Sequence, residues 1–228
     1  MKNLLLLALM GFSLTSTVQA ALIARGTDMV YDDVNNITWA SDANLFKTQA
    51  AGNANLVSEI IAANGGVIHD TPNFYDNGTY TLTTADFNTS TGRMTWWGAQ
   101  AWANDLSLGG VSGWTLPTSG LQNDFFTHQL GTVYGTSITT THNVNYHLFS
   151  NVQSNIYCSS SEYALYPDIE WDFYTNFGAQ NYNFKYNQFY AWAFLPGDVA
   201  AVPLPGAVWL FLSGLIGFMS LKRRGSIG

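Results

Sequence analysis

The chain has 228 residues, 15 acidic and 8 basic side chains, and a single cysteine. Between residues 21 and 202 only Arg25, Lys47, Arg93 and Lys185 are basic, and they face all 15 acids, so this central part carries −11. That balance excludes a phosphate-backbone binder, which needs clustered Lys and Arg. One cysteine excludes an internal disulfide framework and a Cys-rich zinc site.

Taken in chain order, residues 1–20 open with Lys2, continue as an apolar run and end in the small-x-small pattern Val18-Gln19-Ala20. This is the pattern of a signal peptide cut between Ala20 and Ala21. The central part, residues 21–198, is long enough for one domain with a real core and too short for two. Strands are expected at 29–31 and 37–39, flanking the turn-like Asp32-Asp33-Val34-Asn35-Asn36. A helix is expected over 54–63, where Leu56, Val57, Ile60 and Ile61 recur at helical spacing before Gly65. Thr95 is placed to cap a second helix from 96 to about 106, with Ala99, Trp102, Ala103 and Leu106 as its apolar stripe. A third is expected from about 119 to 130, with Leu121, Phe125 and Phe126 inward. Residues 136–145 read as a polar loop or hairpin. Strands follow at 156–159, 169–174, 181–185 and 189–195. The last is apolar on both faces and reads as a central strand. Helices in the middle with strands on either side give an α+β domain.

Residues 199–203 read as a linker. Residues 204–221 hold no charge, and at 1.5 Å per residue they make about 27 Å of helix, enough to cross a hydrocarbon core. Lys222, Arg223 and Arg224 follow at once and place residues 222–228 in the cytoplasm. The stretch Val202-Pro203-Leu204-Pro205-Gly206-Ala207-Val208-Trp209-Leu210-Phe211 resembles the PEP-CTERM sorting signal of Gram-negative bacteria, in a VPLP variant where Leu204 stands for the usual Glu. The resemblance implies an inner-membrane precursor processed by an exosortase, then release or transfer to the cell surface or extracellular matrix.

The central part carries a second resemblance. Met29-Val30-Tyr31-Asp32 with Ile37-Thr38-Trp39, Gly109-Gly110 with Gly113-Trp114-Thr115-Leu116-Pro117-Thr118, Tyr157-Cys158-Ser159-Ser160-Ser161-Glu162 and Ala191-Trp192-Ala193-Phe194 resemble, in order and spacing, the Lcl C-terminal-like domain family. Thr115 stands where that family has Arg, and Cys158 where it has Trp. The resemblance implies a single C-type-lectin-like domain with a mixed antiparallel sheet and two or three short helices, and it supplies no catalytic activity.

The candidate ligand residues come in two sets. Trp96 and Trp97 are adjacent on one helix, so one of them is expected to be partly exposed and available for stacking on a sugar. Glu170 and Asp172, two apart on a strand, share a face. The simplest reading makes that face the exposed polar one, beside a buried Ile169-Trp171-Phe173 face. Calcium binding through their oxygens and glycoside hydrolysis are the sharper readings. Asp28, Asp32, Asp33 and Asp42 form another acidic set, best read as Asx-turn residues. His142 and His147 are five apart and lack zinc-protease spacing. Cys158 reads as a small buried hydrophobe. No catalytic residue and no cofactor is expected beyond calcium as a candidate. The expected function is a carbohydrate- or exopolysaccharide-binding or adhesion module on the surface or in the matrix. The alternative is a structural biofilm-matrix protein without a defined ligand, with a glycan-active enzyme behind both.

Overall fold

A computed structural model describes residues 22–73 and 77–199. The signal segment with Ala20 and Ala21, the sorting motif Val202 to Pro205, the expected membrane helix 204–221 and the basic end Lys222, Arg223 and Arg224 lie outside the described residues. Among the described residues no helix is long and apolar enough to cross a membrane.

The expected α+β class is what forms. β1 (Leu22–Arg25), β2 (Met29–Asp32) and β3 (Ile37–Ala40) make an antiparallel meander. Its turn is built by Asp32, whose Oδ1 accepts the N–H groups of Val34 and Asn35 at 3.1 Å, the Asx-turn chemistry expected of it. Two short helices follow, α1 (Leu45–Gly52) and α2 (Leu56–Ala63). The hairpin β4 (Val67–His69) and β5 (Thr79–Thr81) comes next, then β6 (Phe87–Asn88) with β7 (Arg93–Met94). Two helices occupy the middle of the chain, α3 (Trp96–Asp105) and α4 (Ser119–Asp124), the latter continued by a π-helical turn over Phe125–Gln129. The second half holds the meander β8 (Ile156–Tyr163), β9 (Tyr166–Tyr174) and β10 (Ala179–Phe184), and β11 (Phe194–Pro196) closes the order β1-β2-β3-β11.

The expected single mixed sheet is therefore two sheets and two small hairpins. The reason lies in residues 189–196. Only Phe194 to Pro196 is regular strand. Upstream, Phe189 bridges Met94, Tyr190 runs parallel to Tyr157, and Phe194 bridges Thr115 on its far side. Every residue from Phe189 to Leu195 is buried, so the expectation of two apolar faces holds, but the segment links sheets instead of sitting in the middle of one. Between the sheets lies an aromatic core. Trp39 stacks on Phe125 at 3.9 Å, Phe125 meets Trp192 edge-on at 5.0 Å, and Phe126 stacks on Phe173 at 4.7 Å. Offset and edge-on rings of this kind contribute beyond their buried area.

Helix α3 is enclosed by its start. Thr95 Oγ1 accepts the Gly98 N–H, the expected N-cap. Thr95 Oγ1 in turn donates to Asp86 Oδ1 at 2.8 Å. Asp86 also accepts from Tyr80 Oη, the Thr83 N–H and Thr83 Oγ1. A Cβ on Gly98 would stand 2.7 Å from the Asp86 carbonyl oxygen, so only glycine lets the helix approach this closely. Residues 197–199, which run into the expected linker, are tied down. Gly197 N–H donates to Asn36 O, Thr38 Oγ1 donates to Gly197 O, and Arg25 grips Asp198 at 2.7 Å. Asp86→Ala leaves four donors short of one buried carboxylate and is expected to cost about 3–4 kcal/mol, read as a lower urea midpoint with an unchanged slope.

Candidate functional site

Three groupings of residues bear on function, and the four candidate ligand residues are divided between the first two. The first is built on Lys185, which follows β10 and is fully buried. Its Nζ lies 2.5 Å from Asp70 Oδ2 and 2.6 Å from Glu162 Oε1. It also stands 4.2 Å from the Trp96 ring centroid and 5.7 Å from that of Trp97. Trp97 Nε1 donates to Asp70 Oδ2, and Trp96 Nε1 to Ser159 O, both at 2.9 Å. The expectation that one of the two tryptophans is exposed fails, since Trp96 is 4% exposed and Trp97 5%. Helix α3 is buried on nearly all its faces, not along one stripe. Gly98, Ala99, Ala101 and Ala103 let neighbours close on the sides the large rings leave free. Trp97 is held flat against Tyr80, with ring centroids 3.8 Å apart and planes within 4° of parallel.

A cleft of about 550 Å³ opens above this network, lined by His69, Asp70, Thr71, Trp96, Ser160 and Glu162. A neighbouring hollow of about 400 Å³ shares His69 and Trp96. Burial works against the charge on Glu162, but hydrogen bonds from Lys185 and Thr71 prevail and hold its carboxyl below the usual range. Of the sequence candidates, Trp96 alone reaches this cleft.

The second grouping holds the other two. Glu170 and Asp172 do share a face, but it is the buried one, and both are fully buried. The expected exposed acidic face is thereby corrected. Ile169 and Trp171 are the half-exposed residues, because β9 turns its aromatic side outward at this end. In the register Glu170 lies opposite Glu162 and Asn183, and Asp172 opposite Cys158 and Asn181. Neither Glu170 oxygen has a hydrogen-bond partner among the described residues. Asp172 Oδ2 accepts from Asn183 Nδ2 at 2.6 Å. Burial, and then the neighbouring Asp172, drive the Glu170 carboxyl well above its ordinary range. Burial pushes Asp172 up to about 7 against the Asn183 hydrogen bond. Cys158, buried as expected, is pushed well up by burial and by these two carboxylates, the opposite of what activates a thiol nucleophile. No group of three or more His, Cys, Asp or Glu among the described residues is arranged to hold a metal ion.

The third grouping was missed from sequence. On the outward face of β8–β10, Tyr163 lies 5.4 Å from Trp171 and 5.0 Å from Tyr182, and it stacks at 6.2 Å on Tyr166. Phe184 continues the row and stacks on Tyr186 at 5.1 Å. Tyr166 is 61% exposed, Tyr182 49% and Tyr186 55%. The signal was present as aromatics at every second position, Tyr182, Phe184 and Tyr186, with Asn183 between the first two. Its outward direction appears only with the pairing of Tyr182 to Trp171.

No family model matches the chain, and neither does any curated protein or solved structure.

The buried acids set a pH dependence. Asp172 keeps its proton in the folded chain up to about pH 7, while unfolded aspartate loses it near pH ~4. Between those values the folded state binds more protons, so stability falls as pH rises. Glu170, raised in the same sense, extends the loss upward. Glu162, lowered, removes stability as pH drops below the ordinary glutamate range. Stability should therefore peak in mildly acidic buffer. Asp172→Asn should gain about 2–4 kcal/mol over the parent at about pH 8 and nothing at about pH 3, as measured by urea unfolding at both values. Lys185→Met strands two carboxylates and should cost about 3–5 kcal/mol, read in the same assay at neutral pH.

Proposed function

We propose that this chain is an exported surface or extracellular-matrix protein whose C-type-lectin-like domain binds polysaccharide through the aromatic face of β8, β9 and β10. The observation that carries the proposal is that row of exposed rings. A contiguous exposed apolar patch marks an interaction site, and flat rings offer the apolar faces of pyranose sugars a stacking surface. Charge argues for a glycan over a lipid surface. Anionic headgroups call for Lys and Arg, but of the four bases between residues 21 and 202, Arg25 is paired with Asp198 and Lys185 is buried.

The resemblances to the Lcl C-terminal-like family and to the PEP-CTERM signal support the same reading, with an exosortase as processing partner and the inner membrane as the precursor's site. Calcium has no part in the proposed contact. Tyr166 and Tyr182 are exposed, so replacing them leaves the fold intact. Tyr166→Ala combined with Tyr182→Ala should weaken binding to an exopolysaccharide preparation by about tenfold or more at an unchanged melting temperature. Affinity electrophoresis of the purified full chain in mild detergent reads this out. Unchanged mobility of the parent chain in every polysaccharide tried, with and without calcium, sinks the proposal.

A further inference from the structure

The outermost strands of the two sheets are closed off in different ways, and β10 is the exception. β1 is four residues long, ends in the charged Arg25 and lies against the helical turn Val144–Leu148. β11 carries Pro196, and its Phe194 bridges Thr115 on the open side. β8 is covered where Tyr157 bridges Tyr190 and where the Ser160 N–H donates to Pro117 O. Shortness, charge, proline and cover are the devices that keep a sheet edge from pairing with another chain. β10 stands at the end of the order β10-β9-β8 with six residues, no charged side chain and no proline. No segment among the described residues pairs with its outer side. The Lys185 N–H donates inward to Asp168 O, so by alternation the amides of Gln180, Tyr182 and Phe184 point outward. The Tyr182 N–H fits that direction, because the neighbouring Asn181 Oδ1 accepts it at 2.9 Å and β9 does not.

We propose that β10 is a self-pairing edge, through which two copies of this chain join antiparallel about a two-fold axis at Tyr182. The two three-stranded sheets become one of six strands, an ordinary size for a sheet. Tyr182 then exchanges backbone bonds with its own copy, and Gln180 with Phe184 of the other copy, so one patch serves both partners, as a two-fold interface requires. Charge selects the occupant. With −11 between residues 21 and 202, copies of this chain repel one another over most of their surface. They meet without that penalty along Ala179–Phe184, which is neutral. A basic partner finds no carboxylate on this strand to hold it. The rings favour the same partner, because Tyr182 and Phe184 are 49% and 38% exposed and lie on one face, where the pairing sets them beside their counterparts. The cost is the Asn181 cap on the Tyr182 amide, which must open. Six residues a side make a small interface, so the dimer is weak and forms where the protein is concentrated. The pairing stands independently of the polysaccharide reading, and it places two aromatic faces side by side.

The test is hydrogen exchange of the purified full chain in mild detergent, read by mass spectrometry on the peptide covering residues 179–184 across a wide range of protein concentration. Exchange of its outward amides is expected to slow about tenfold or more as concentration rises, in step with dimer seen by sedimentation. Gln180→Pro removes an outward N–H and leaves the bonds to β9 in place. It should weaken the dimer about tenfold or more. Asn181→Ala frees the Tyr182 amide and should strengthen the dimer several-fold. The two variants move the equilibrium in opposite directions, and Asn181→Ala keeps the test decisive if Gln180→Pro does not fold. Exchange at 179–184 that ignores concentration overturns the proposal, whether the chain is then monomeric or associates through another surface. So does a dimer of unchanged strength in folded Gln180→Pro, or one that Asn181→Ala leaves equal or weaker.

Discussion

The buried ammonium of Lys185 is the constraint around which segments from both halves of the chain are arranged. A charge with no exposure must be met by opposite charge and hydrogen bonds or the chain does not fold around it. Asp70 arrives from the end of β4, Glu162 from β8, and the two tryptophans from the first turn of α3. The backbone of the same residue joins in. Its N–H donates to Asp168 O in β9, and its C=O accepts the Trp96 N–H, one of the amides an α-helix leaves unpaired at its start. One residue thus fixes the entry of α3, the end of β10 and the loop after β4 relative to one another. The cleft is what remains open above that junction.

The aromatic core does the corresponding work between the sheets. Trp192 touches Trp39, Phe125, Phe126, Phe149 and Tyr157 through ring contacts of 5.0–6.3 Å, and its Nε1 is satisfied by Ala40 O at 2.7 Å. It lies in the segment that bridges both sheets, so backbone pairing and ring packing reinforce each other. An indole at this position buries area and also meets its polar requirement, which Phe would leave Ala40 O without.

Periodicity made much of this legible. The capped α3, the later helix of the 45–63 pair, the start at Ser119 and the strands β8, β9 and β10 follow from apolar spacing and from Thr95 as a cap. Helix α1 left little trace, because only Leu45 and Phe46 face inward. It is started by Asp42, which accepts the Asn44 N–H and Thr48 Oγ1, a local bond invisible to hydrophobic pattern. The burial of both Trp96 and Trp97 was hidden for a related reason. A stripe argument assumes one wet face, and Gly98 with the alanines removes it. The cleft was the least legible part. Asp70, Glu162 and Lys185 are separated by 92 and 23 residues, and no spacing rule joins them.

Strand β9 shows why the candidate site was misread and why it matters. Alternation assigns its two faces correctly but not their direction. Burying the Ile169-Trp171-Phe173 side would have been the cheaper choice along its whole length. The chain does so only at Phe173, under Phe126, and then reverses the usual assignment. Trp171 emerges among tyrosines while Glu170 and Asp172 are enclosed. Both terms oppose stability. Rings are left in water, and carboxylates are taken out of it without full hydrogen bonding. A fold under no other demand would drift toward polar residues outside and apolar ones within. The reversed arrangement at this end is what the proposed contact through the outer rings would call for. Of the enclosed acids Glu170 sits opposite Glu162, so this reversed end of β9 also backs the wall of the acidic cleft.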